Sequence, residues 1–217
     1  MSGEAIATVP TDPPSSIPTW GTYDAANKLT AVTNGRTITF TRGIVARHGL
    51  GLTGTPEADT AFNERGELER VQLPGGLERF YYSYDGHGRS VLVGDDDTGE
   101  EVFKLYAGDV PIGEVSDTNG AIRAYTWGAD GLVSMRDIGA STSYYYHFGP
   151  QGETRKLTNG SGTSVADYAY SAWGIPIGTV PTVDNPYRYG GKVGYYHLNH
   201  LGGYIAGARV YHPYLMR

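Results

Sequence analysis

Turn signals recur along this chain at intervals that leave room for little except short strands. The final glycines of five of them, Gly88, Gly99, Gly120, Gly131 and Gly152, are spaced 11, 21, 11 and 21 residues apart. Spacings near 8–12 residues, with doublets, mark serial β-hairpins, and a fixed period marks a repeat architecture. The signals are Asn34-Gly35, the tetrapeptides at 63–66, 85–88, 117–120 and 149–152, Pro74-Gly75-Gly76, Asp97-Thr98-Gly99, Ala129-Asp130-Gly131 and Asn159-Gly160. Composition agrees. The chain has 32 glycines, and 18 tyrosines against 5 phenylalanines. Glycine supplies the positive φ of tight turns, and tyrosine packs a half-buried sheet face while its hydroxyl stays wet.

The segments between turns alternate as strands do. Ala121, Arg123, Tyr125 and Trp127 share one face; Phe103 and Leu105 share a face opposite Lys104 and Tyr106. Neither is cleanly apolar on one side, which suits a single-layer sheet whose faces meet partial solvent or a second surface. Glu57 to Glu69 is the best helical candidate, but Gly66 interrupts it and Asn63-Glu64-Arg65-Gly66 reads as a hairpin turn. Residues 1–19 are rich in Pro, Ser and Thr, an extended tail expected to be pinned on its own sheet or a neighbour.

The formal net charge of −6, with no basic run, argues against a nucleic-acid partner. There is no cysteine for a disulfide or thiolate site, and no apolar run of membrane-spanning length or secretory signal. His147, His197, His200 and His212 gather toward the end, but His197 and His200, three apart, would face opposite sides of a strand, so no metal is assigned. The acidic run at 95–101 reads as a solvated hairpin tip rather than a calcium loop. No nucleophile elbow, phosphate loop or zinc-protease motif is present. Catalytic, cofactor and metal residues are accordingly expected to be none. Tyr81, Tyr82, Tyr144, Tyr145, Tyr146, Tyr195 and Tyr196 form the one aromatic set to weigh for sugar stacking, against the plainer reading of structural ladders.

Tyr23-Asp24-Ala25-Ala26-Asn27-Lys28-Leu29 resembles a YD repeat, and Phe62-Asn63-Glu64-Arg65-Gly66 and Tyr84-Asp85-Gly86-His87-Gly88 look like further copies. In such a unit the Asp side chain bonds the following turn and Gly supplies its positive φ. The C-terminal motifs are more specific. Tyr144-Tyr145-Tyr146-His147-Phe148-Gly149-Pro150-Gln151-Gly152 resembles a family element in which Phe-Gly replaces Tyr-Asp. Asp167-Tyr168-Ala169-Tyr170-Ser171-Ala172-Trp173-Gly174, then 184–191 and 203–213, complete an order similar to the Rhs repeat-associated core domain.

This resemblance implies an all-β chain of serial antiparallel β-hairpins. They would form a twisted single-layer YD-repeat strip, part of a spiral β-shell or tube, bacterial and extracellular or at the cell surface. The divisions are a tail at 1–19, YD-repeat hairpins at 20–142 and a core-like segment at 143–217. Family shells enclose a toxic domain and release it by self-cleavage at an aspartate-rich plug. Here Val210-Tyr211-His212-Pro213 stands in place of Tyr-Tyr-Asp-Pro, and the sequence ends at Arg217 without an Asp-Pro-x-Gly-Leu motif, so self-cleavage does not carry over. So short a strip would leave its edges and concave face under-covered. The leading expectation is therefore a non-catalytic structural subunit that self-assembles as a homo-oligomer or polymer through sheet edges and the N-terminal tail. The alternatives are an Rhs-type shell fragment carrying or encapsulating a toxin encoded elsewhere, with other Rhs-shell or toxin components as partners, and a carbohydrate-binding surface module.

Overall fold

The structure, a computed structural model, describes residues 60–72, 79–179 and 181–213 in full, and the backbone of the strands between 19 and 59. The turns expected at Asn34-Gly35 and Pro74-Gly75-Gly76, and the tail at 1–18, lie outside the described residues.

Hairpin follows hairpin along the chain. The strands are β1 (Thr19–Tyr23), β2 (Leu29–Thr33), β3 (Thr37–Thr41), β4 (Val45–Gly49), β5 (Glu57–Phe62) and β6 (Leu68–Gln72). Next come β7 (Arg79–Tyr84), β8 (Ser90–Asp95), β9 (Glu101–Ala107), β10 (Val110–Ser116), β11 (Gly120–Gly128) and β12 (Gly131–Asp137). The strip ends with β13 (Thr142–Phe148), β14 (Thr154–Thr158) and β15 (Ser164–Asp167). Among the described residues these fifteen strands form one sheet in sequence order, with every pairing antiparallel. The all-β strip of serial hairpins is thus what the turn spacing predicts. The region weighed as a helix is the β5–β6 hairpin.

One turn design recurs. At Asn63, Asp85, Gly149, Asn159 and Ser171 the backbone N–H bonds the carbonyl four residues on, and the residue three on bonds back. That third residue is Gly66, Gly88, Gly152, Gly162 or Gly174, each with φ between +78° and +83°. The side chain at the first position completes the turn. Asn63 Oδ1 accepts from the N–H of Arg65 and Glu67, Asp85 Oδ1 from His87 and Arg89, and Asn159 Oδ1 from Ser161 and Thr163. Ser171 Oγ does the same for Trp173 and Ile175. This is the Asx-turn logic of the Tyr-Asp motif. Two of these turns add to the sequence reading. The turn expected at Asn159-Gly160 is present, opened by Asn159, with its positive φ at Gly162. Ser171 to Gly174 is a further copy, with a hydroxyl in place of the carboxylate or amide.

Beyond β15 the chain turns back over the strip. Residues 168–213 lie along one face and end in a small antiparallel sheet of β16 (Tyr196–Leu198), β17 (Gly203–Ala206) and β18 (Arg209–Tyr211). Two clusters hold this return. Tyr125, Leu132, Met135, Tyr146, Leu157 and Ala166 of the strip pack with Tyr168, Tyr170 and Tyr187. Leu68, Val71 and Tyr82 pack with Leu198, Leu201 and Ile205. The face expected to be under-covered is therefore packed, over the described residues, by the chain's own returning segment. The opposite face keeps apolar side chains exposed, among them Leu105, Ile112 and Val133.

Candidate functional site

The chemistry of this chain is concentrated where β8–β11 meet the returning segment. Alternation fixes which side chains arrive there. On β9, Lys104 and Tyr106 point to the covered face and Phe103 and Leu105 to the exposed one, so a lysine is buried while two large apolar groups meet solvent. β10 brings Glu114 opposite Lys104 in register, and β11 brings Arg123, Tyr125 and Trp127.

Glu114 is 1% exposed and fully engaged. Its Oε2 accepts from Arg123 Nη1 at 2.5 Å and its Oε1 from the Tyr125 hydroxyl at 2.8 Å. Arg123 also pairs with Asp184 of the returning segment. Burial, the largest single effect, works against the Arg123 charge, but Glu114, Tyr125, Asp184 and Tyr196 together offset it and the guanidinium is raised above its ordinary pKa. Burial first, and Glu114 second, push the Tyr125, Tyr187 and Tyr196 hydroxyls well up, so all three stay neutral.

Lys104 faces the other way. Its Nζ lies 3.4 Å from Ser90 Oγ and 3.5 Å from the centroid of the Tyr196 ring. Burial lowers its ammonium to about 8 against the pull of Glu114. Beside it opens a cavity of about 160 Å³. Trp127 closes one wall, its indole N–H donating to the Pro111 carbonyl at 2.5 Å. Tyr187 crosses Tyr125 and Trp127 edge to face at 4.9 and 6.0 Å.

Asn185 pins the return. Its Oδ1 accepts from the Tyr146 hydroxyl at 2.8 Å and the Tyr187 N–H at 2.9 Å, and its Nδ2 donates to the Tyr187 carbonyl. Thr154 of β14 donates its N–H to the Arg188 carbonyl and its hydroxyl to the Tyr187 carbonyl.

The residues singled out from sequence fall in several places. His147 is exposed on β13 beside Thr158. His197 lies on β16, its Nδ1 against Asn199; His200 lies in the turn beyond, stacked on Phe80 at 3.8 Å and bonded to the Tyr82 hydroxyl. His212 is buried against the Leu201 carbonyl. Desolvation lowers His197 to about 3 and His200 to about 4, so both are neutral packing groups. The acidic run is a hairpin tip capped by Asp95, whose Oδ1 accepts from the Asp97 N–H. The tyrosine set does not form one surface. Tyr82 and Tyr146 are buried under the returning segment, whereas Tyr145 faces out. Lys104 and Glu114 were not singled out, because strand alternation places them on a face without saying that the face is covered. Among the described residues no helix is long and apolar enough to cross a membrane, which leaves β-barrel spans untouched.

No family model matches the chain. It is 28% identical over 196 residues to the tRNA3(Ser)-specific nuclease WapA of Bacillus spizizenii, and 28% identical over 195 residues to the tRNA nuclease WapA of Bacillus subtilis strain 168. Each alignment covers 88% of this chain, which spans about 7% of the length of these curated relatives. The fold is similar to the Photorhabdus luminescens Tc holotoxin pore (TM-score 0.56, 15% identity, 89% of this chain and 11% of that one). It is also similar to the TcdB2–TccC3 complex (TM-score 0.54, 16% identity, 84% of this chain and 12% of that one).

The chain thus has an Rhs-like fold. Three expectations are corrected by the relatives. A non-catalytic, self-assembling structural subunit conflicts with relatives named as tRNA nucleases, and so do the assignments of no enzyme and no nucleic acid. The physical reason is that turn period and tyrosine content report only the shape of a sheet, and net charge and short motifs do not by themselves exclude an activity.

Proposed function

We propose that this chain is a stretch of the β-repeat wall of a large Rhs-type toxin, the Rhs repeat-associated core where the wall nears its end, acting outside the producing cell with toxin components as its partners. The activity associated with it is then of the class named in its relatives, cleavage of tRNA. One observation carries the reading: 88% of the chain aligns with nucleases of whose length it spans about 7%. What is shared is a strip of wall, and the geometry suits that part. One face of the strip carries buried tyrosines and is packed by a segment latched through Asn185 and Thr154.

The test is an antibody raised against the purified chain, used to precipitate its native protein from producing cells. The precipitate, incubated with total tRNA, is expected to yield discrete tRNA fragments on a denaturing gel. A precipitate that contains the chain and leaves tRNA intact overturns the reading.

A further inference from the structure

The cavity beside Lys104 is not accounted for by a role as wall. Ser90, Lys104, Tyr106, Trp127, Tyr187 and Tyr196 line it, and it measures about 160 Å³. Apolar cavities of about 150 Å³ hold a benzene ring. This one differs by having a cation in its wall.

Lys104 is 6% exposed. No carboxylate lies within ion-pair distance of its nitrogen among the described residues. Its cross-strand neighbour Glu114 is turned to Arg123 and Tyr125, with both oxygens used. The ammonium has three donors, and the Ser90 hydroxyl and the Tyr196 ring face are the partners it has. Burying a cation without an anion is costly, so the site is one anion short. Arg89, at the mouth, is already committed to Asp85. Asp109, also at the mouth, has a fully exposed side chain.

We propose that this cavity is a binding site for a small flat carboxylate, with the carboxyl group paired to Lys104 and the ring lying among Trp127, Tyr187 and Tyr196. The lysine is protonated over most of the neutral range, since its ammonium sits at about 8. A bound carboxylate supplies the missing acceptor, and the aromatic walls take its apolar body at offset or edge-on angles. This site is distinct from the latch at Asn185 and independent of any nuclease activity.

The probe is benzoate, titrated into the purified chain by isothermal calorimetry. The expected result is saturable one-to-one binding at millimolar concentration or tighter. Neutral benzamide, of nearly the same shape, is expected to bind at least about tenfold more weakly, the loss of one charge-assisted contact. Lys104→Met, which keeps the unbranched stem, is expected to lose benzoate affinity by a similar factor, with its circular dichroism spectrum unchanged. Benzoate binding in the unsubstituted chain is also expected to weaken between about pH 7 and about pH 9.5 as the lysine loses its proton. The proposal is overturned if benzoate gives no saturable heat up to about 20 mM, or if benzamide binds the unsubstituted chain as tightly. Undiminished benzoate binding by a folded Lys104→Met chain overturns it as well. The benzamide comparison needs no variant, so the proposal stays testable if Lys104→Met fails to fold.

Discussion

At Gly149 the recurrent turn has lost its capping side chain, and Glu153 performs that task from four residues away. Its Oε2 accepts the Gln151 N–H at 2.9 Å, the bond that Asp85 Oδ1 makes to His87 in the matching turn. A Cβ built on Gly149 would stand 2.1 Å from Glu153 Oε1, so one carboxylate fills the space of the other. The two positions should therefore be exchangeable only together. Glu153→Ala strands the Gln151 N–H and leaves a hole where a 2% exposed side chain was, at a cost of about 2–3 kcal/mol. The accompanying ion pair to Arg155 adds little, since that arginine is half exposed. Gly149→Asp alone forces two carboxylates into one site and should cost about 2 kcal/mol or more. The double variant places an Asp where Asp85 stands in the matching turn, and should regain most of both losses, a coupling of about 2–4 kcal/mol. Urea unfolding midpoints of the four proteins measure this, and hydrogen exchange at the Gln151 amide reports it locally. If the double variant is less stable than either single one, with losses that simply add, the substitution logic is wrong.

Three further outcomes follow from the same contacts. Asn185→Ala removes the hydrogen bonds to Tyr146 and Tyr187 and should release residues 168–213 by about 3 kcal/mol, read as protease cleavage there before any in the strip. Acid should loosen the return as well. His200 and His197 have folded values near 4 and 3 against an ordinary 6.5, so the unfolded chain binds protons first. Stability is then full above about pH 6.5 and lost as pH falls toward 4, on the order of 2 kcal/mol per histidine after allowance for partial exposure. Urea midpoints at several pH values check this, and His200→Gln should flatten the slope. Finally, Gly174→Ala and Gly66→Ala share a positive φ but differ in space. Gly174 would put a Cβ 2.6 Å from the Tyr189 ring, whereas Gly66 has nothing within 4 Å. The first should cost about 3 kcal/mol or more and the second about 1 kcal/mol, in the same unfolding assay.

Much of the strip was legible because its information is local. Asn63 and Asp85 announce their turns five residues before the strand resumes, and the glycine three on confirms each. Asn159-Gly160 marked its turn but not the turn's length, since it is Gly162 that takes the positive φ. Ser171 was passed over because a hydroxyl at the capping position is a weaker sign than a carboxylate or amide. The return of 168–213 was not legible. Its residues Tyr187, Leu198 and Ile205 pack against strands far earlier in the chain, and no alternation within the segment records which face they will meet. Lys104 shares that obscurity. Read on its own strand it is the polar half of a half-wet sheet, and only the Tyr196 ring laid over it makes it buried.

The order of strands has a consequence for how the molecule comes to exist. Each strand of the sheet pairs with its neighbour in sequence, with no crossover. Loop closure for such pairing spans a few residues at a time, so the contact order of the strip is low. A chain of this kind can add hairpins as it emerges from a ribosome or a narrow conduit, each new strand using the last as its template. The exception is the closure that joins Tyr82 to His200 across 118 residues. That step has to wait until the returning segment has emerged, so the covered face is made after the strands it covers, and a pull on the returning segment would undo it before the hairpins beneath.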